Sequence, residues 1–408
     1  MTQQLSDLLP AGSITSPIGF AAGAVYAGVK SYGDPQGRLD LAILCSDRPC
    51  TAAGVFTKNR VPGAPVIVSR EHLRDGRAQA IVVNSGCSNV AMGERGLDDA
   101  RRMAALTADK CSLQAQDVLV GSTGVIGRKL PMDLIAQGIA QVELSEQGGA
   151  AFARAIMTTD TVPKSCAARA NIGGREITVG GAAKGSGMVH PDMATVFCFL
   201  TTDADVPAAV LAPLLKRVAD RSINMVDVDM DTSTSDSMVF LANGAAGAPP
   251  IGADSAELVA LEELADRVAI QLARALARDG EGAKTLIEVV VEGAASVEDA
   301  RRAARTIVSS PLVKTMVTGR DPNLGRVMMA LGRSGAEMDV ERTSVYIFEV
   351  CAFQRGVPSD VDYAALSKAM DQEEVLLRVD LGMGGHRATA WGCDLTEGYI
   401  RINADYTT

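Results

Sequence analysis

The stretch Lys184-Gly-Ser-Gly-Met-Val-His-Pro-Asp-Met-Ala-Thr195 combines two glycines, a bend-fixing proline and a threonine behind a small residue, at the start of the apolar run Ala194–Leu200. An N-terminal nucleophile needs this arrangement. The Thr195 hydroxyl attacks the Ala194 carbonyl, the acyl group shifts from nitrogen to oxygen, and hydrolysis exposes an α-amine on Thr195. With an intrinsic pKa of about 7.7–8.0, that amine serves its own hydroxyl as base near neutral pH, without a histidine. The same residue types also fit a plain Gly-rich turn before a buried strand threonine, which is the commoner arrangement.

Gly121-Ser-Thr-Gly-Val-Ile-Gly127 follows the strand-like run Val118–Val120, and a loop there can aim a hydroxyl and a backbone N–H at one oxyanion. It lacks the lysine of a P-loop, and an ordinary Gly turn remains open. The run Asp227–Asp236 is acidic enough to suggest calcium. Counted from Asp227, however, loop position six is Thr232 and position twelve is Met238, where an EF-hand needs Gly and Glu. A polar loop lining a cleft is expected instead. Gly319–Arg326 is expected to be a turn with arginines free to pair carboxylates, and His72 and His386 to lie on the surface. His190 lies near the proposed nucleophile without being required by its chemistry.

The elements around these segments read as alternating strands and helices. Strand-like runs fall at Asp40–Leu44, Ala80–Val83, Val118–Val120 and Ile177–Val179. A helix is expected after an Asp205 N-cap, with Val210, Leu211, Leu214, Leu215 and Val218 on one face. Another spans about Glu257 to Arg278, a strand covers Leu286–Val291, and Ser296 with Asp299 opens a third helix. The irregular alternation predicts a layered α/β fold with mixed or antiparallel sheets rather than a doubly wound one.

Composition narrows the class. A 408-residue chain with 47% apolar and 22% charged residues can bury a sizeable core, and its net charge of −10 argues against nucleic-acid or anionic-membrane partners. Eight scattered cysteines without CxxC pairs, and three histidines, fit reduced thiols and no metal site. The expectation is a soluble, cytoplasmic, metal-free protein.

Several motifs in order resemble the ornithine acetyltransferase (glutamate N-acetyltransferase) family of arginine biosynthesis. They include Ala52-Ala-Gly-Val-Phe-Thr57, Ser122-Thr-Gly-Val-Ile-Gly127, Met157-Thr-Thr-Asp-Thr161 and the Lys184–Thr195 stretch. Asp231-Thr-Ser-Thr234, Gly280-Glu-Gly-Ala283, Ser310-Pro-Leu-Val-Lys314, Asp321-Pro-Asn323, Ala390-Trp-Gly-Cys-Asp394 and Arg401-Ile-Asn-Ala-Asp-Tyr406 follow.

The resemblance implies a large α/β domain with a smaller C-terminal domain from about residue 285. It also implies self-cleavage into an α chain (1–194) and a β chain (195–408), assembled as a heterotetramer of two copies each. Thr195 would carry acetyl from N-acetylornithine to glutamate by a ping-pong route. No cofactor is implied, and acetyl-CoA enters only as a co-substrate of a bifunctional enzyme. Thr123 and Gly124 would form the oxyanion hole. Thr158, Lys184, Glu281, Asn403 and Thr408 would bind substrate beside Thr195.

The chain departs from the family pattern at Cys87, Ser88, His190, Asp192 and Leu324, which opens the question of substrate identity. Two alternative enzymes remain: an N-terminal-nucleophile amidohydrolase or aminopeptidase, and an acyltransferase with another acyl donor. A non-catalytic amino-acid-binding protein is a third class.

Overall fold

The computed structural model describes residues 8–30, 38–190 and 196–405. Ala194, Thr195, Asp192 and Thr408 lie outside the described residues. Strands β1 (Phe20–Val25), β2 (Leu41–Phe56), β3 (Arg77–Cys87), β4 (Val118–Val125), β5 (Lys164–Ile172), β6 (Arg175–Lys184) and β7 (Phe197–Thr202) precede the short β8 (Val226–Asp227) and β9 (Ser237–Ala242). All but β8 form one mixed sheet in the order β4-β3-β2-β9-β7-β6-β5, with β1 also paired to β2. The β3–β4 and β7–β9 pairs are parallel, whereas β2 runs antiparallel to both β3 and β9.

The strand expected at Asp40–Leu44 is in fact 16 residues long. Asp47-Arg48-Pro49 interrupts the apolar pattern, but the backbone bulges there and resumes pairing at Cys50. The sheet curls strongly. Three strands separate β4 from β7, yet a side chain at Gly121 would come within 3.3 Å of the Phe197 ring. Phe20, Phe152, Phe197 and Phe199 fill the core inside this curl.

Helices α1 (Ala64–His72), α2 (Gly93–Cys111) and α3 (Met132–Gln141) cover the other face of β2, β3 and β4. α4 (Gly149–Ala155) packs on β1 and β2, while α5 (Ala208–Arg221) and α6 (Ala256–Arg278) lie between the two sheets. The apolar stripe of α5 is buried as its period predicts, but Pro207 is its N-cap, not Asp205. Ile251 N–H takes the Asp205 carbonyl, so the chain stays extended through Pro207. The Ser255 and Ser296 hydroxyls cap α6 and α7 (Val297–Val308).

The second sheet joins β8 to β10 (Leu286–Ala294), β11 (Ser344–Ile347), β12 (Val350–Gln354), β13 (Val357–Pro358), β14 (Glu374–Asp380) and β15 (His386–Cys393). Its order is β13-β12-β11-β14-β10-β15-β8, again mixed: β10 is parallel to β14 and antiparallel to β15. α7 packs on it, followed by α8 (Pro311–Thr318), α9 (Leu324–Gly332), α10 (Tyr363–Ala369) and α11 (Glu397–Asp405). This is the layered α/β fold with mixed sheets that the sequence predicts. Among the described residues no helix is long and apolar enough to cross a membrane.

Candidate active site

The expected loop at Gly121–Gly127 is a strand for most of its length. Ser122 to Val125 pair in register with Asn84 to Cys87, and the turn comes only at Ile126. Two facing glycines make this continuation possible. Gly124 has φ +120°, and a Cβ there would lie 2.5 Å from the Gly86 carbonyl carbon. Only glycine tolerates both demands. Thr123 beside it is buried opposite Ser85, whose hydroxyl donates to the Ala155 carbonyl at the end of α4 (2.6 Å). The oxyanion candidates are thereby tied to the segment that leads to Thr158.

Lys184 ends β6, pairs with Phe197 at the first position of β7, and holds its ammonium 5.7 Å above that ring. It donates to the Thr158 hydroxyl at 3.5 Å, and among the described residues no carboxylate lies within ion-pair distance. Burial pushes the Lys184 pKa down, against the opposing fields of Asp160, Asp236 and Glu281. The Asp160 carboxylate is fully engaged. It accepts from Thr158 N (2.9 Å), Gly185 N (2.7 Å) and Lys164 Nζ (2.6 Å). Burial works against its charge, but Lys164, Lys184 and the Gly185 N–H together hold its pKa below the ordinary value.

Glu281 follows α6 and is fixed by its own N–H, which donates to the Ser186 carbonyl at 2.7 Å. Its carboxylate packs so closely on Gly187 that a Cβ there would sit 2.5 Å away. Asn403 of α11 donates to the same carboxylate at 2.8 Å. The structure therefore groups the described candidates. Thr158 meets Lys184, Glu281 meets Asn403, and the Lys184–Gly187 turn joins the pairs. Gly121, two residues before Thr123, faces the Phe197 ring across the curl of the sheet.

The Asp227–Asp236 run is buried at Asp227 and Asp236 and exposed at Met230 and Asp231, and Asp229 accepts from the Met188 and Val189 N–H groups (2.6 and 2.9 Å). Two other sequence expectations need correction. His72 is half-buried, with Nδ1 2.8 Å from the Val118 carbonyl, because α1 packs directly on β4. Arg320 does pair with Asp371, but Arg326 donates to the Leu312 carbonyl and the Thr315 hydroxyl, since no carboxylate faces it on α8. His386 is exposed as expected.

The ArgJ family model matches residues 21–408. The chain is 49% identical over 402 residues to the arginine biosynthesis bifunctional protein ArgJ of Dehalococcoides mccartyi (strain CBDB1), covering 98% of this chain and 99% of that protein. It is 48% identical over 400 residues to the protein of the same name from Symbiobacterium thermophilum, again covering 98% and 99%. The chain belongs to the ArgJ family.

It is accordingly an enzyme, an acyltransferase of arginine biosynthesis. Among solved structures it is similar to the ornithine acetyltransferase of Mycobacterium tuberculosis complexed with ornithine. The identity is 41% and the TM-score 0.42, over 46% of this chain and 98% of that one. The arginine biosynthesis bifunctional protein of Bacillus halodurans shows 44% identity and a TM-score of 0.44, over 46% of this chain and 97% of that one.

Cys87 and Ser88 have a structural role. The Cys87 thiol reaches the Arg128 carbonyl (3.1 Å) and the Ser88 hydroxyl the Val125 carbonyl (2.9 Å), so both shape the turn after Gly124. Leu324 is buried core at the start of α9.

Sequence reasoning also missed two groups near Lys184. Asp236 is 3% exposed, and its Oδ2 has no hydrogen-bond partner. Burial raises its pKa well above the ordinary value, against the pull of Lys184 and Ser233. Lys30 packs against Gly86, and burial lowers its pKa from 10.5 to about 8. Neither sits in a motif that signals chemistry. The nearest hint was that Asp236 closes the Asp227–Asp236 run.

Proposed function

We propose that this chain cuts itself between Ala194 and Thr195 and uses Thr195 to move acetyl from N2-acetylornithine to glutamate. The observation that carries the reading is Lys184. It is a cation without a carboxylate partner among the described residues, in register with the first residue of the strand that Thr195 leads into.

The new Thr195 amine takes the hydroxyl proton as oxygen attacks the acetyl carbonyl of acetylornithine. The Thr123 hydroxyl and the Gly124 N–H receive the negative charge that develops on that carbonyl oxygen. When the intermediate collapses, the C–N bond breaks and the ornithine nitrogen leaves with the proton held by the Thr195 amine. Acetyl remains as an ester on Thr195. The glutamate amine then attacks this ester, and the steps reverse to release N-acetylglutamate. One amide is broken and one is formed, so the exchange needs no cofactor and no external energy source.

Lys184, with Thr158 beside it, receives the substrate α-carboxylate as a charge-assisted contact. Glu281, oriented by Asn403, receives the side-chain ammonium of ornithine. Thr408 completes the substrate site by the same resemblance. The mature enzyme would be a heterotetramer of two α chains (1–194) and two β chains (195–408). The bifunctional character of the ArgJ relatives supports a second activity, in which acetyl-CoA acylates glutamate through the same Thr195.

The test is to supply purified protein with N-acetylornithine, with and without glutamate. Equal amounts of ornithine and N-acetylglutamate with no free acetate support transfer. Glutamate-independent release of acetate would assign a hydrolase instead. Thr195→Ala should abolish both cleavage and transfer, whereas Thr195→Ser should keep part of each.

A further inference from the structure

Two lysines stand on neighbouring strands at this end of the first sheet. Lys164 opens β5 and pairs with Ala183, the residue before Lys184 on β6. Lys184 has no carboxylate partner among the described residues, whereas Lys164 has two. The Lys164 Nζ lies 2.6 Å from Asp160 Oδ1, 2.6 Å from Asp279 Oδ2 and 3.4 Å from the Val162 carbonyl. An ammonium has three donors, so all are engaged, and the residue is 2% exposed. It keeps no donor for a ligand.

Each of its carboxylates holds one half of the proposed substrate site. Asp160 Oδ1 also accepts from the N–H of Gly185, next to Lys184, and Oδ2 accepts from the N–H of Thr158. Asp279 accepts from the Thr161 N–H (3.0 Å) and from the Thr161 hydroxyl, and it lies two residues before Glu281. The chain around Glu281 has no slack. A Cβ on Gly280 would run into the Cys393 sulfur, and one on Gly282 into the Tyr399 nitrogen of α11, the helix that carries Asn403.

A buried ion triad adds little net stability, because desolvation consumes most of its attraction. What it does supply is direction, since each short hydrogen bond fixes one donor against one acceptor. Here that direction runs from the 158–161 and 184–185 segments to the end of α6.

We infer that Lys164 is a positioning residue that sets the distance between the two ends of the substrate site. Lys184 with Thr158 forms the end for the α-carboxylate, and Glu281 with Asn403 the end for the side-chain ammonium. The strut rests on the roles proposed for Lys184 and Glu281, and it adds what holds them apart. A diamino acid gripped at both ends is sensitive to that distance, whereas a substrate gripped only by its α-carboxylate is not. The strut therefore makes the site selective for the length of the ornithine side chain.

The test compares kcat/KM for N2-acetylornithine with that for N2-acetylnorvaline, which has the same carbon chain but no side-chain ammonium, with glutamate as acceptor. Lys164→Met would leave two buried carboxylates without their cation and destabilise the whole chain, so a milder change is used. Asp279→Asn has one acceptor oxygen where the carboxylate uses two, and it cannot serve both Thr161 and Lys164. It should lower the acetylornithine value about tenfold, the effect of losing one hydrogen bond to a charged group. The acetylnorvaline value should stay at the wild-type level, a split that general loss of structure would not give. Thr161→Val should act in the same direction but less, and Thr161→Ser, which keeps the hydroxyl, should restore the wild-type ratio. Glu281→Gln should remove the preference for acetylornithine altogether. Given that loss, a parallel fall for both donors in Asp279→Asn, an unchanged ratio, or no rescue by Thr161→Ser would each overturn the strut alone. A Glu281→Gln enzyme that keeps the preference would overturn the reading of the site, and the strut with it.

Discussion

Two buried lysines show how differently this fold treats the same charge. Lys314 on α8 is 2% exposed, sits 2.9 Å from Asp227 Oδ2 and donates to the Cys393 carbonyl at 3.0 Å. Burial opposes its charge, but Asp227 and its surroundings outweigh that cost and its pKa rises. Lys184 has a hydroxyl at 3.5 Å and an aromatic face, and its pKa falls. The first ammonium is satisfied by the protein and holds the second sheet to the 226–232 segment. Among the described residues the second, at the mouth of β7, has no carboxylate partner. A cation desolvated without a counter-charge is a poor structural element and a good receptor for a substrate carboxylate.

The largest effect should come from breaking the satisfied pair. Lys314→Met leaves Asp227 buried without its cation and should cost about 3–5 kcal/mol of stability, read from denaturant unfolding. A loss below about 1 kcal/mol would show that Lys314 is no anchor.

Lys184→Met should do the reverse. It removes an unpaired charge, so stability should hold or rise, while KM for glutamate should increase about 10–100-fold, the range for one hydrogen bond to a charged group. Unchanged kinetics in this variant would remove Lys184 from the substrate site and end the contrast.

Asp236→Asn sharpens the comparison with a smaller change. Burial disfavours the charged form of Asp236, and the amide copies the carboxyl's shape. Stability should therefore move by less than about 1 kcal/mol, against a far larger loss for Asp227→Asn.

The smallest effect concerns acid. Asp160 and Asp227 have folded pKa values below the ordinary carboxylate value, with burial opposed by Lys164 and Lys314 respectively. The unfolded chain binds these protons more readily, so their contribution is fully present above about pH 4 and fades only as pH falls through the depressed values. Melting temperatures measured from about pH 6 to about pH 3 should show this late loss, and Asp227→Asn should remove part of it. A wild-type profile that falls already between about pH 6 and pH 5 would place the controlling group elsewhere.

What the sequence made legible follows from distance along the chain. The stripes of α5 and α6 and the caps at Ser255 and Ser296 depend on neighbours three or four residues away, and they were readable. Lys184, Thr123 and Glu281 stand in short motifs, so the family resemblance located them. The sheet order was not readable, because β2 pairs with β9: Thr51 lies opposite Ala242, and no local pattern encodes that meeting. Lys314 finds Asp227 across 87 positions, and Asp279 reaches Lys164 across 115. Each residue looks like ordinary polar sequence until folding brings its partner. The Gly121–Gly127 segment reads as a loop because its three glycines, Ser122 and Thr123 favour a loop locally. Parallel pairing with β3 overrides that preference.

The most direct test of the whole account is to add N-acetylornithine alone to the purified enzyme and weigh its chains. The chain beginning at Thr195 should become heavier by one acetyl group, an equal amount of ornithine should be released, and glutamate should remove the added mass as N-acetylglutamate. An unmodified chain in the presence of turnover, or acetyl located on any residue other than Thr195, would contradict it.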